Sequence, residues 1–479
     1  MNRLLRCLPL VLIALFLGAL YFRTLAPGLT WANDGADGGD LVTAVVTGGV
    51  PHPGGYPTYL ALASIFSKLP FESPAYGTNL LSLACALLAA VLMYAIQRKA
   101  GGGVVPACLA ALAFGSFPLV WSQAVITEVN AGAALFAALV VYWLGVRAPT
   151  PREGLAGGLA AGLGLGAHLT LAFLLPLLFL GTMRQGWRAY VKPLALRLAG
   201  FALGLGVYGL IPLRARAQAP VNWGNAVDLP GFLWLVSGRM YHDRLERFNW
   251  AYLEAGFRAW SRALLEQLGP AGLALVFLAL AFGFKPTRLY LVSLWMFLVY
   301  SLFSIIYYSP DSYVYLLPPL MSVALWVGEA AAWLLERIAW RPRFSRPLTV
   351  GLLLSIFVLR ALAALPSMDL SSDHAAEDYA RSVLEAAPPR AILLADGDEA
   401  VFSLWYVHYA LHARPDLVVL ARGLMPMPWY RQTLRATYPD LTVPDLPWAE
   451  AVLLVNASRP ACELGVELRP QLQCSRGAE

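Results

Sequence analysis

Apolar runs separated by short basic clusters dominate the chain. A membrane-spanning helix needs roughly 20 apolar residues, with about 17 still acceptable. Runs of that kind fall near 5–22, 78–96, 104–121, 129–146, 194–213, 269–284, 289–307, 313–335 and 347–365. The Gly-rich stretch 154–183 is overlong for one helix and reads as two short passes broken near His168. Charge supports two passes. With Arg3 and Arg6 inside, the clusters Arg98/Lys99, Arg147/Arg152, Arg184/Arg188/Lys192, Lys285/Arg288 and Arg337/Arg341/Arg343/Arg346 all become cytoplasmic only if that stretch crosses twice. The pattern therefore predicts an α-helical polytopic membrane protein of about eleven passes. "MNRLLRCLPLVLIALFLGALYF" has the basic start of a signal peptide, but its apolar stretch is long for one and no A-x-A site follows, so it reads as a retained signal anchor.

This topology divides the chain into a transmembrane domain over 1–365, with exoplasmic loops 23–77 and 214–268, and an exoplasmic domain over 366–479. Within the loops, "PTYLALASIFSKLP" and "AYLEAGFRAWSRALLEQL" are too short or too charged to span and read as interfacial helices. In the tail the apolar runs shorten. "AILLADGDE", "DLVVLAR" and "AVLLV" read as buried strands separated by helical stretches, the alternation of a small α/β domain. No G-x-G-x-x-G follows any of these strands, so a dinucleotide site has no support.

Composition agrees with the pattern. Of 479 residues 58% are hydrophobic and 13% charged, with mean hydropathy +0.60, against roughly 25% charged in soluble domains. The net charge of +6 lies in the clusters between spans and reads as topology rather than nucleic-acid binding. The five cysteines show no metal-ligand spacing; Cys462 and Cys474, both in the tail, pair in an oxidising compartment or remain free thiols.

The candidate chemistry collects in "TWANDGADGGDLVTAVVTGGVPHPGGYPTY", residues 30–59. Asp37 and Asp40 are three apart. If a helix begins near Gly39, Asp37 caps it, Asp40 lies in its first turn, and the two carboxylates come close. Such a pair either serves as helix caps or separates in pKa so that one acts as a general base or holds a divalent cation. Asp34 reads as solvated. Prolines and glycines around His52 hold its imidazole on a turn facing the same side. Glu128, in "WSQAVITEVN", and His168 share that membrane face, Glu128 snorkelling to water or facing a polar cavity. Arg214 and Arg216 end a span at headgroup level, where arginine either snorkels or grips a phosphate. Asn222, Trp223, Asn225, Arg239, Tyr241 and His242 follow, residue types that sugar binding uses.

Taken in order, "GADGGDLVTAVVTGGVPHPGGYPTY", "NLLSLACALLAAV", "WSQAVITEVNAGAALF", "GLGLGAHLTLAFLLP", "IPLRARAQAPVNWGNAVDLPGFLWLVS" and "LLADGDEAVFSLWYVHYALHARPDLVVL" resemble a multi-pass family grouped with the protein O-mannosyltransferases of the GT-C superfamily. The family's first-loop pattern is approximately D-S-G-E followed by H-P-P-G-Y-P. Here Asp40 stands in place of the glutamate and Gly54 in place of a proline, which leaves Asp37 as the safer essential carboxylate. The resemblance implies a GT-C fold and a lipid-phosphate-linked sugar donor. It also implies Asp37 as base with Asp40 and His52 in support, Arg214 and Arg216 on the donor phosphate, and Tyr56, Glu128, His168, Asn222 and Trp223 around the substrates. No cofactor is implied, although a divalent cation could replace arginine at the phosphate.

The function expected is transfer of a hexose, mannose by the resemblance, from a polyprenyl phosphate to Ser or Thr of exported proteins, with inversion. The alternatives are a lipid or cell-wall glycan acceptor, or a transporter or assembly factor for lipid-linked sugars. A transporter would place ionisable groups near the bilayer midplane, whereas these gather at one boundary. The implied partners are the donor lipid, an exported protein or glycan, and the bilayer, in a bacterial-type plasma membrane. The tail is expected to bind the acceptor or cap the site.

Overall fold

The structure, a computed structural model, describes residues 3–181, 187–246, 250–283, 286–307, 309–338, 344–464 and 472–475. Arg184, Lys285, Arg341 and Arg343 of the expected basic clusters lie outside the described residues. Six described helices are long and apolar enough to cross a membrane: Pro74–Lys99, Val191–Ala215, Trp250–Phe282, Arg288–Ile306, Ser312–Arg337 and Ser345–Met368. The pair Val104–Ser116 and Pro118–Ala124, bent by 63° where Pro118 interrupts the amide ladder, is a seventh if the two helices form one broken span rather than a re-entrant loop. The four remaining expected passes correspond to shorter helices: Leu8–Arg23, Val129–Gly145, Pro151–Ala167 and Leu169–Phe179.

Packing explains the Gly-rich hairpin. Gly158 and Gly162 of Pro151–Ala167 face Arg197 and Phe201 of Trp187–Leu205 so closely that a Cβ would stand 2.0 and 2.3 Å from their carbonyl oxygens. In lipid, helices associate through close contact rather than hydrophobic expulsion, and small residues permit it. Thr150 and Glu153 form a reciprocal cap at the start of this hairpin, and it breaks at His168 as the sequence indicates.

The second expected interfacial helix runs into the following span as Trp250–Phe282, broken at Gly269 with φ 60°. Arg360, from the Ser345–Met368 helix, donates to the carbonyls of Glu266 and Gln267 at 2.8 and 3.1 Å, capping the first segment where Pro270 ends its hydrogen-bond ladder.

The tail carries a four-stranded sheet, β1 (Ile392–Ala395), β2 (Val418–Ala421), β3 (Ala461–Leu464) and β4 (Leu472–Ser475), in the order β2-β1-β3-β4. β1 is parallel to both β2 and β3, and β4 returns antiparallel. Cys462 and Cys474 face each other across β3 and β4 and form a disulfide. "AVLLV" is not the third strand but a short helix, Glu450–Val455, with Leu454 79% exposed. A short apolar run fits either element until its neighbours are known.

Candidate active site

The helix Asp37–Thr47 starts at Asp37 itself, so Asp37 and Asp40 both occupy its first turn, one helical turn apart on one face. The following turn returns His52 to that face. Gly54 and Gly55 take φ of 111° and 64°, conformations that side chains rarely adopt, and the amide of Gly54 donates to the carbonyl of Leu235.

His52 stands between the two carboxylates. Its Nδ1 lies 2.8 Å from Asp40 Oδ2 and its Nε2 3.5 Å from Asp37 Oδ2. Asp40 is fully buried and also accepts the backbone amide of His52 at 2.9 Å and the indole N–H of Trp223 at 2.8 Å. A buried carboxylate is tolerated when hydrogen bonds replace its water, and three donors do so here. Asp37 differs, keeping 41% of its side-chain surface open in a recess walled by protein. Burial opposes the imidazolium of His52, but the Asp37 charge and the hydrogen bond and charge of Asp40 outweigh it and carry the His52 pKa up to about 9. Burial raises the Asp37 pKa, and the His52 charge draws it back down. The arrangement is a buried carboxyl group, an imidazole ring and an open carboxyl group in series.

Several expected residues join this group. The Tyr56 ring meets His52 edge-on at 5.0 Å and continues to His168 at 5.9 Å, which in turn meets Tyr315. Glu128 is 7% exposed; it caps the Val129–Val140 helix through the Val129 amide and lies within the electrostatic field of His52.

Others are placed differently. Arg214 sits toward the opposite end of the Asp37–Thr47 helix, where its guanidinium donates to the carbonyls of Ala44 and Gly49 and to Ser64 Oγ at 3.1, 3.2 and 2.7 Å. It ties three segments of the fold and is not turned toward the carboxylate pair. Arg216 is exposed at the end of the same helix as Arg214. Asn222 and Trp223 are 2% and 4% exposed. The Asn222 amide donates to Ala215 O and Asn225, and the Trp223 indole to Asp40. Both are buried beside Asp40. Asp34 is exposed but accepts the Tyr313 hydroxyl rather than being merely solvated.

The structure adds groups that the sequence did not single out. Arg244 donates to Ser309 Oγ at 2.7 Å, and its guanidinium lies 4.9 Å from the Tyr241 ring centre and 5.8 Å from that of Tyr307. Its charge and that of Asp311 both act on Asp37. Asp398, in the first turn of the tail helix Asp398–Trp405, also joins. Crowding by protein, then the Asp37 charge, push its pKa up to about 6. Only the run "SGRMYHDR" hinted at Arg244, and nothing local hinted at Asp398. Among the described residues no group of three or more His, Cys, Asp or Glu is arranged to hold a metal ion.

Residues 37–190 match the protein O-mannosyl-transferase TMEM260 N-terminal domain, and residues 376–448 match TMEM260-associated domain 2. The chain is 27% identical over 453 residues to the protein O-mannosyl-transferase TMEM260 of Mus musculus, covering 86% of this chain and 63% of that one. To its counterpart in Dictyostelium discoideum it is 22% identical over 489 residues, covering 88% and 58%. It thus spans less than two thirds of either relative. Among solved structures, ArnT from Cupriavidus metallidurans bound to undecaprenyl phosphate superposes with a TM-score of 0.61 at 13% identity, over 95% of this chain and 92% of that one. The apo oligosaccharyltransferase of Archaeoglobus fulgidus gives 0.55 at 13% identity, over 88% and 65%. By these matches the chain is similar in sequence to the TMEM260 protein O-mannosyl-transferases and shares its fold with ArnT and the oligosaccharyltransferase.

Proposed function

We propose that the chain is a membrane glycosyltransferase that moves mannose from a polyprenyl phosphate to Ser or Thr of exported proteins, with inversion. The observation that carries this reading is the open carboxyl group of Asp37, 3.5 Å from an imidazole that the buried Asp40 anchors behind it. Asp37 takes the proton of the acceptor hydroxyl as its oxygen bonds to the anomeric carbon. The bond from that carbon to the phosphate oxygen breaks from the opposite side, and its electron pair leaves with the lipid phosphate. The departing phosphate requires cationic stabilisation more than a proton. Arg244 supplies it in this reading in place of Arg214, because it lies in the field of Asp37 whereas the Arg214 guanidinium is held by carbonyls. Tyr56, Glu128 and His168 line the substrate side. Both the sugar and the protein acceptor follow the relatives' name, and the carrier lipid follows the solved neighbour.

The same reading places the N-terminus in the cytoplasm and the tail outside a bacterial-type plasma membrane. The Cys462–Cys474 disulfide supports it, since such bonds persist in oxidising compartments. Asp37→Asn, assayed in membranes supplied with labelled polyprenyl-phosphate mannose and a Ser/Thr peptide, is expected to lose transfer while the protein accumulates normally. Full activity would remove Asp37 as the base; transfer to lipid alone would move the acceptor to a glycan.

A further inference from the structure

The tail does not merely lie over the site. Its helix Asp398–Trp405 packs on the Asp37–Thr47 helix so closely that a Cβ on Gly39 would stand 2.4 Å from the carbonyl oxygen of Phe402. Trp31, at the start of the first loop, donates to Ser403 Oγ at 2.8 Å. The second loop is gripped as well, with Asn225 donating to Gln432 at 3.1 Å. At the centre of this contact is Trp223. Its ring meets Phe402, Trp405 and Trp429 at centroid distances of 6.3, 6.4 and 5.2 Å, all three from the tail. Among the described residues, the Trp223 indole N–H donates only to Asp40, at 2.8 Å.

We infer that Trp223, clamped by the tail's Phe402, Trp405 and Trp429, is the positioning residue through which the docked tail holds the Asp40–His52–Asp37 series in working geometry. The tail is then part of the catalytic unit, required even for an acceptor too short to touch it elsewhere. The physical route is short. The indole fixes one oxygen of Asp40, which frees the other for the amide and ring of His52, and His52 sets the charge beside Asp37. Without the indole donor, the Asp40 carboxyl is free to turn away from the His52 ring, and Asp37 loses the positive charge held beside it. The other ionisable groups facing the series are Tyr56, Glu128, His168, Tyr241, Arg244, Asp311 and Asp398, and none of them accepts the Trp223 indole N–H.

The inference rests on Asp37 being the base, and the test separates the two. In the full-length protein, Trp223→Phe keeps the ring and removes the N–H, whereas Trp429→Leu keeps the N–H and loosens the clamp. Transfer to a short Ser peptide is measured across pH. Both variants are expected to lower kcat, by about ten- to a hundred-fold for Trp223→Phe as a hydrogen bond to a charged group is lost. Both should move the acid limb of the profile to higher pH, with the peptide KM nearly unchanged. Unaltered kcat and acid limb, or a raised KM alone, would overturn the inference and reduce the tail to an acceptor platform. Should Trp223→Phe fold poorly, Phe402→Leu gives the same reading from the tail side. Inactive Asp37→Asn beside unaltered Trp223→Phe would overturn only the positioning role; active Asp37→Asn would overturn the base and this inference together.

Discussion

His52→Gln removes the positive charge beside Asp37 while keeping an amide to hydrogen-bond Asp40. The magnitude follows from the 3.5 Å separation of His52 Nε2 and Asp37 Oδ2. Asp37 is 41% open to solvent, so an effective dielectric of about 40–80 is appropriate rather than that of a dry interior. Unit charges at that distance then interact by about 1–2 kcal/mol, or about one to two pK units on the carboxylate. With His52 neutralised, the burial that raises Asp37 is no longer opposed from that side. The acid limb of kcat/KM should therefore move up by about one to two pH units, with most activity recovered at about pH 9. The assay is the initial rate of transfer from a labelled polyprenyl-phosphate sugar to a Ser/Thr peptide by the solubilised full-length protein. The sign for stability is separate. A His52 pKa raised to about 9, above the ordinary value of about 6.5, contributes stability fully below about pH 6.5 and loses it as pH rises through about 9. The Tm gap between wild type and His52→Gln should therefore narrow on going alkaline. An acid limb that stays in place with the plateau intact would refute the charge arrangement; a lowered plateau with an unmoved limb would make His52 a scaffold only.

Other substitutions probe the remaining groups. Asp398→Asn removes a negative charge that acts on Asp37 and should move the same acid limb the opposite way, to lower pH, by about half a unit; a limb moving upward would contradict the placement. Arg244→Ala should lower kcat/KM for the donor by about 10²–10³-fold without changing Tm by more than a few degrees. Arg214→Ala should do the reverse, costing about 1–3 kcal/mol of stability as two carbonyls and Ser64 lose their donor, read by thermal unfolding in detergent.

The first loop was legible because its chemistry is local. Asp37, Asp40 and His52 lie within sixteen consecutive residues, so helix period and turn residues alone bring them together. The break at His168 was legible because an overlong apolar run must be divided. Arg214 was harder to place. An arginine at a helix end reads as a charge facing outward, and only the fold shows that two carbonyls of another segment meet it first. Arg244 was no more than a member of a polar run and Asp398 had no local pattern at all, because each reaches Asp37 through packing between distant segments.

Asp398 nevertheless has a structural logic. It follows the carboxyl end of β1, which pairs in parallel with β2 on one side and β3 on the other. Chains leaving that edge diverge and open a crevice, where open α/β sheets bind their ligands. In this molecule the helix that begins there instead packs on the Asp37–Thr47 helix. The edge that a free α/β domain would use for its own ligand is turned toward the carboxylate of the membrane domain. That geometry makes the β1 edge, rather than the outer face of the sheet, the place where tail substitutions should change acceptor choice.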